Sequence, residues 1–145
     1  MKEVRAEIYI EATAEWVWRV LTNFEAYPKW NPFIRNIERS ELRPGAKPRV
    51  SVHLADGTDK TFRPVLVAVV PAAELRWRSS TLFGGLFDCE HTFTIEPHRT
   101  GIRFTQCQHF SGWLAWLLAR SMVAKTRPGV EDMNKSLKRV AEAKY

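Results

Sequence analysis

Apolar and polar residues alternate over most of the chain, and this alternation predicts strands. From Glu3 to Glu11, Val4, Ala6, Ile8 and Ile10 share one side, as expected of a half-buried strand. Turn-forming residues separate the later segments, and successive strands without helices between them pair antiparallel. Six further strands are predicted: Ile34 to Leu42, Pro48 to Leu54, Lys60 to Val70, Glu74 to Thr81, Leu86 to Glu96 and Gly101 to Phe110.

Two short helices are predicted between the first and second strands. Thr13 is expected to cap the first, and Val17, Val20 and Leu21 form its apolar face. A second helical turn follows and ends near Pro28. The predicted element order is therefore that of an α+β domain.

One long helical pattern covers Ser111 to Tyr145. Pro128 and Gly129 predict a kink or a short break, with Thr126 capping the restart. Because the apolar stripe must be buried, we expect the strands to wrap around this helix. The stripe is predicted from Trp113, Trp116, Leu117, Arg120 and Val123 in the first half and from Val130, Met133, Leu137 and Val140 in the second.

Composition indicates one globular domain over residues 1–145. A chain of 145 residues with 45% hydrophobic and 26% charged residues is long enough to bury a core. Charged residues interrupt the first segment, so no signal peptide is expected, and the longest apolar run, Gly112 to Ala119, is too short to span a bilayer. The two cysteines form no disulfide framework. A cytoplasmic location is expected.

The net charge of +6 raises the question of an anionic partner. The basic residues are scattered, with a mild excess towards the C-terminus, and no nucleic-acid-binding motif accompanies them. We therefore expect no nucleic acid partner. A solvated basic face is the first interpretation, and a weak preference for a membrane surface is the second.

Four segments carry a family resemblance: AEWVWRVLTNFEAYPKWNPFI (Ala14 to Ile34), ELRWRS (Glu74 to Ser79), GLFDCEHTFTIEP (Gly85 to Pro97) and FSGWL (Phe110 to Leu114). With the element order, they resemble the SRPBCC superfamily, the START/Bet v 1-like helix-grip fold, and specifically its polyketide cyclase/dehydrase-like branch. The resemblance implies a seven-stranded antiparallel sheet gripping the C-terminal helix, with a deep cavity between them. The superfamily includes lipid carriers, hormone binders, polyketide cyclases and ubiquinone-binding proteins, so the fold does not fix the function.

Strand alternation indicates which side chains face that cavity. His91, Gln106 and Gln108 are the polar members of an otherwise apolar set, which is typical of a small-molecule pocket. These three can equally satisfy one another or bind ordered water. The residues predicted to contact a ligand are Trp30, Phe33, Leu66, Trp77, Ser79, Phe87, His91, Phe93, Phe104, Gln106, Gln108, Phe110 and Leu117.

No catalytic set is evident beside His91, the only candidate for acid or base chemistry. The chain has no glycine-rich phosphate loop and no serine elbow, and Glu90 and Glu96 are predicted to point outwards. Cys89 faces inwards without a base beside it. His53, His98 and His109 form no metal constellation. Neither a metal nor a cofactor is predicted.

Three functions remain open. The first is binding, transport or sensing of a hydrophobic small molecule such as a lipid, polyketide, isoprenoid or aromatic metabolite. The second is a polyketide cyclase, aromatase or dehydratase that uses His91 as general acid or base. The third is a membrane-associated quinone or lipid chaperone, which exposure of Trp113 and Trp116 would favour. A gate between Pro128–Gly129 and Leu82–Gly85 is a further hypothesis.

Overall fold

A computed structural model describes residues 3–81 and 87–143, so the Leu82–Gly85 half of the predicted gate lies outside the described residues. The short Phe24–Ala26 segment is a single 3₁₀ turn. The strands and α-helices are β1 (Glu3–Ile10), α1 (Ala14–Thr22), α2 (Tyr27–Trp30), β2 (Ile34–Ile37), β3 (Val50–His53), β4 (Asp59–Phe62), β5 (Val65–Val70), β6 (Glu74–Thr81), β7 (Phe87–His98), β8 (Gly101–Ser111) and α3 (Ala115–Ala143).

The described strands form two antiparallel sheets rather than one. The larger has the order β1-β8-β7-β6-β5 and the smaller the order β2-β3-β4. The predicted α+β class, with an antiparallel sheet and a long C-terminal helix, is confirmed. The predicted strand number of seven is wrong, since the described residues contain eight strands.

Pro64 accounts for the additional strand. The sequence predicts one strand from Lys60 to Val70, but β4 ends at Phe62 and β5 begins at Val65. Proline has no N–H for a strand ladder and restricts the residue before it. β4 pairs with β3 and β5 pairs with β6, so the chain crosses from the small sheet to the large one at this proline.

The strands β7 and β8 form one long hairpin that fixes the register of the polar inward residues. Cα partners run from Asp88 and Ser111 to His98 and Gly101. The predicted end at Glu96 is two residues early, because the ladder continues through Pro97 to His98. Within this hairpin His91 faces Gln108 directly across the ladder, as alternation led us to expect.

Local capping at the start of the chain follows the prediction. The Thr13 hydroxyl accepts a hydrogen bond from the Trp16 backbone N–H at 3.2 Å, and the predicted apolar face of α1 is buried.

After α2, the Asn31 side-chain oxygen accepts hydrogen bonds from the backbone N–H groups of Phe33 at 3.0 Å and Ile34 at 2.8 Å. The side chain of Asn31 thus stabilises a turn that directs the chain into β2.

The helix α3 differs from the prediction in its first half. Val130, Met133 and Leu137 are buried as expected, whereas Trp113 and Trp116 are exposed. The buried stripe of the second half continues towards the N-terminus of α3 in steps of three and four residues. Most residues of this continuation are small, and they were not predicted to be buried. The continuation consists of Ala115, Ala119, Met122 and Thr126.

Pro128 lies inside α3 without ending it. Of the two predicted alternatives, the short break with its restart is therefore wrong, and the kink stays a prediction. Proline supplies no N–H to the carbonyl one turn earlier, and nearby groups find other partners. The Thr126 hydroxyl donates to the Met122 carbonyl instead of capping. The Lys125 carbonyl accepts from the backbone N–H of Ala55 at 3.0 Å. The proline-containing turn therefore docks the β3–β4 loop onto the helix.

Gly129 provides the space for Phe33 against α3. A Cβ atom built on Gly129 would lie 2.3 Å from the Phe33 Cδ1 atom. Alanine normally stabilises a helix interior by about 1 kcal/mol relative to glycine. For Gly129→Ala we expect the opposite, a loss of about 1–3 kcal/mol in the free energy of unfolding through overpacking. Urea denaturation measures this change.

A second substitution separates overpacking from a helix effect. The smaller side chain in Phe33→Leu should relieve the clash, so the double variant should be more stable than the sum of the two single changes predicts. Stabilisation by Gly129→Ala alone would show that the close contact between Phe33 and α3 is wrong.

Candidate functional site

A cavity lies between the two sheets and the first half of α3. Its volume is about 40 Å³. A cavity of this volume has room for only a few water molecules, so a larger ligand has to displace side chains. The lining residues are Phe33, Ile34, Val52, Leu54, Lys60, Phe62, Trp77, Ser79, Phe87, Cys89, His91, Gln108, Phe110, Met122 and Thr126.

Part of the predicted ligand-contact set lines this cavity. These residues are Phe33, Trp77, Ser79, Phe87, His91, Gln108 and Phe110. They come from β6, β7 and β8 and from the turn before β2, and their side chains meet because alternation turns every second residue inwards. Whether they contact a ligand stays a prediction.

The other predicted contact residues lie elsewhere. Leu66, Phe93, Phe104 and Gln106 are at most 1% exposed and belong to the packed core beneath the cavity. Leu117 is 57% exposed on the outer side of α3. The remaining one, Trp30, is half-buried and packs edge-on against Tyr27, 5.2 Å between ring centroids. Alternation identifies an inward face correctly but does not show which part of it is open and which part is packed.

Several lining residues were absent from the predicted contact set. Lys60 and Phe62 lie two positions apart on β4 and therefore face the same side, so the signal was in the sequence. Met122 and Thr126 belong to the overlooked stripe of α3. The others are Ile34, Val52, Leu54, Phe62 and Cys89. Lys60 is the most informative of them because it brings a charge to an apolar wall.

His91 lies where the cavity meets the packed core. Its ring stacks on Phe93 at 4.3 Å between centroids and packs at 5.5 Å against Trp77. The Nε2 atom is 2.8 Å from the Gln106 Oε1 atom. Gln106 Nε2 in turn donates to the Asn134 Oδ1 atom of α3 at 2.8 Å. The amide nitrogen of Gln106 is thus committed to α3, and its oxygen accepts the proton of His91 Nε2.

Burial determines the protonation state of His91. Burial lowers the pKa of the imidazole from 6.5 to about 4, while the hydrogen bond with Gln106 opposes that shift. The ring is therefore neutral near pH 7, and its one N–H is directed at Gln106. A general acid or base works best with a pKa near the operating pH, so His91 is a poor candidate for either role. Asn134, which completes the network, was not predicted from the sequence.

The burial of His91 predicts a pH-dependent stability. The unfolded chain takes up a proton near pH 6.5, whereas the folded chain does so only near pH 4. The stabilising contribution of neutral His91 is fully present above pH 6.5 and is lost as the pH falls from 6.5 to about 4. Between pH 7 and pH 5 we expect a loss of about 2 kcal/mol in the free energy of unfolding from this residue. Urea denaturation at each pH measures it.

The comparison of two variants isolates this contribution. His91→Gln removes the titrating ring and should flatten the pH dependence between pH 7 and pH 5. His53→Gln, at an exposed histidine paired with Asp59 on the outer face of the small sheet, should leave the buried contribution in place. A His91→Gln variant with the wild-type pH slope would show that the ring is not held neutral by burial.

Cys89 and Gln108 form the polar part of the cavity wall on β7 and β8. Burial raises the pKa of the Cys89 thiol to about 12, against smaller opposing effects from a hydrogen bond with Gln108 and from the charge of Lys60. The thiol therefore stays protonated and is no nucleophile at neutral pH. The Gln108 Oε1 atom is buried without a hydrogen-bond partner, a costly arrangement for an acceptor.

Outside the cavity, the described residues show no alternative reactive site. Arg76 and Glu90 point outwards and form ion pairs on the surface of the large sheet. Within residues 3–81 and 87–143, no three His, Cys, Asp or Glu side chains are placed to hold a metal ion. Both cysteines are free. None of the helices in the described ranges is long and apolar enough to cross a membrane.

Comparisons with known proteins agree with this architecture. The family model described as polyketide cyclase / dehydrase and lipid transport matches residues 1–142. No curated protein matches the sequence significantly. Among solved structures, TTHA0849 from Thermus thermophilus is similar with a TM-score of 0.74 and 22% identity, covering 98% of each chain. CV1439 from Chromobacterium violaceum is similar with a TM-score of 0.72 and 20% identity, covering 97% of each chain.

A third similar structure is a di-domain protein. The ARO/CYC protein StfQ from the steffimycin biosynthetic pathway matches with a TM-score of 0.77 and 14% identity, over 99% of this chain and 52% of that chain. This chain therefore spans about half of StfQ. At these identities the structural likeness establishes the fold alone.

Proposed function

The chain belongs to the polyketide cyclase / dehydrase and lipid transport family, and we propose that it binds a hydrophobic small molecule in the cavity between the sheets and α3, as a carrier or sensor. The main supporting observation is the cavity wall itself, which is mostly aromatic and aliphatic with a few polar groups. Such a wall gains free energy by removing an apolar ligand from water, while the polar groups orient it.

Binding is favoured over catalysis by the chemistry of the wall. The similarity to an ARO/CYC protein raises cyclisation or dehydration as the alternative. That chemistry needs a group that exchanges protons near neutral pH. His91 is neutral with its N–H directed at Gln106, Cys89 remains a thiol, and no carboxylate lines the described part of the cavity.

The free cysteines also suit a reducing compartment, so we include a cytoplasmic location in the proposal.

Ligand-induced stabilisation tests this function. A compound that binds only the folded chain raises the free energy of unfolding by about 2.7 kcal/mol at 100 times its dissociation constant. We expect such a gain from at least one member of a panel of long-chain alcohols, quinones and aromatic polyketides, measured by thermal denaturation. A protein that gains stability from none of them contradicts the binding function.

A second candidate function, presentation of the ligand at a membrane surface, is favoured by one observation. Around the start of α3, Trp113 and Trp116 are 65% and 69% exposed, next to the exposed Leu117 and Leu118. We call these four residues the tryptophan patch. Large exposed apolar patches mark interaction sites. Between Ser111 and Arg127 the chain has three basic residues and no acidic one, which complements an anionic lipid surface.

Vesicle binding tests the tryptophan patch. Trp113→Ala combined with Trp116→Ala should weaken sedimentation with mixed phosphatidylcholine and phosphatidylserine vesicles by about tenfold, because two apolar anchors are lost. The matched control is Val67→Ala with Val70→Ala, two exposed apolar residues of β5, which should leave binding unchanged. Equal binding of both variants, or no binding by the wild type, would contradict membrane presentation.

A further inference from the structure

We propose that the ligand is an amphipathic organic acid whose negatively charged group pairs with the ammonium of Lys60, a claim that rests on the proposed binding function. One cation and one unpartnered acceptor lie together in a mostly apolar wall, and these two groups indicate the chemical class of the ligand.

Lys60 is held at the cavity by the fold of the small sheet. In β4 it pairs with Val52 of β3, and both residues line the cavity. Its neighbours Asp59 and Thr61 are exposed on the opposite face. Lys60 itself is half-buried and lines the same cavity as Cys89. The ammonium is thus part of the wall.

The charge of Lys60 has no counter-ion in the described part of the chain. The two nearest acidic residues along the sequence are engaged elsewhere. Asp59 is 2.7 Å from the His53 Nδ1 atom, and Asp56 is 3.6 Å from the Lys125 Nζ atom. No acidic side chain lines the cavity within the described residues. A charge that leaves bulk water favours an opposite charge beside it, and here a ligand would supply that charge.

Gln108 provides independent support for a polar group on the ligand. It is 9% exposed, lines the same cavity, and its Oε1 atom is buried without a hydrogen-bond partner. An unsatisfied buried acceptor needs a donor. A ligand hydroxyl close to the acid group would satisfy it. The two groups together match an acid that also carries a hydroxyl, while the aromatic rings of Phe87 and Phe110, stacked at 5.7 Å, would contact its apolar body.

A pair of nearly isosteric probes tests the claim. 2-Naphthoate and 2-naphthamide differ in charge but hardly in shape, and calorimetric titration gives the affinity of each. We expect the wild type to bind 2-naphthoate about tenfold more tightly, as a charge-assisted hydrogen bond predicts. Lys60→Met keeps the apolar stem of the side chain. It should remove this preference by lowering the affinity for 2-naphthoate while leaving that for 2-naphthamide unchanged. Lys60→Arg should retain the preference.

Control variants separate this claim from the binding function. Lys29→Met removes an exposed surface charge on α2 and should leave both affinities unchanged. Equal binding of the two probes by the wild type, or an acid preference that survives Lys60→Met, would overturn the acid specificity while the binding function stands. Failure of both probes to bind would overturn the acid specificity, whereas the binding function is decided separately by the stabilising panel. Thermal denaturation of each variant verifies that it is folded.

Discussion

Tryptophan in place of Ser79 is expected to reduce the affinity for an apolar ligand by about 100-fold or more, equivalent to about 2.7 kcal/mol of binding free energy. Ser79 lines the cavity from β6, directly opposite Cys89 in the β6–β7 ladder. An indole there occupies far more than the cavity volume of about 40 Å³. The ligand and the new side chain would compete for the same space. Titration with the best compound of the stabilising panel measures the loss.

The neighbouring residue provides the control for this prediction. Ser80 follows Ser79 on the same strand, but its hydroxyl donates to Asp88 at 2.7 Å on the outer face. Ser80→Trp therefore adds the same indole outside the cavity and should leave affinity unchanged. Cys89→Phe blocks the cavity from β7 and serves if Ser79→Trp does not fold. Unchanged affinity in a folded blocking variant would place the ligand elsewhere.

Leucine in place of Gln106 is expected to lower the free energy of unfolding by about 3 kcal/mol. Gln106 is completely buried and joins His91 of β7 to Asn134 of α3. Leucine has a similar size, so packing is largely kept, while the hydrogen bonds of Gln106 with His91, Asn134 and the Val130 carbonyl are lost. Each buried group left without a partner costs about 1–3 kcal/mol. Urea denaturation at pH 7 measures the change.

Gln108 offers a matched comparison two residues away on the same face of β8. Its Oε1 atom already lacks a partner, so Gln108→Leu should cost less than about 1 kcal/mol. A large difference between the two glutamines would show that the network at Gln106 holds the sheet to the helix. Equal and small losses would show that Gln106 contributes no net stabilisation.

These two predictions describe different ends of the same interior. Phe93, Phe104 and Gln106 fill the end beneath His91, whereas Ser79, Cys89 and Gln108 surround the open end. His91 belongs to both. A rigid lower core can position β7 and β8, while the side chains above it adapt to a ligand.

Alternation and turn chemistry were sufficient to predict much of the fold. β6 was predicted with both of its ends correct, and the hairpin of β7 and β8 within two residues. The period of two is strong there because one face is buried and the other carries ion pairs, such as that between Arg78 and Glu90. The family resemblance then supplied the relation between sheet and helix.

The errors have specific physical causes. Pro64 separates β4 from β5 because it cannot donate to a ladder, yet Pro128 leaves α3 continuous. Tertiary contacts beside Pro128, such as the hydrogen bond from the Ala55 N–H to the Lys125 carbonyl, are not revealed by the local sequence. The stripe of α3 was assigned to its largest apolar residues, although the helix buries Ala115.

The candidate site was predicted less completely than the fold. Lys60 faces the cavity together with Phe62 because the two residues have the same parity on β4, but a charge was not expected at an apolar wall. Asn134 lies 28 positions from Gln106, so no local pattern connects them. Which part of the inward face stays open depends on how far Phe93 and Phe104 pack together, a property of the assembled core.

Native mass spectrometry of the protein as purified, followed by denaturing extraction of any retained compound, tests the central claim most directly. The proposed function predicts an apolar compound at near-stoichiometric level in the wild type and its absence from Ser79→Trp. Its extracted chemistry would also show directly whether the ligand is an acid. An empty wild-type protein that gains no thermal stability from lipids, quinones or aromatic polyketides would contradict the claim that this cavity is a ligand-binding site.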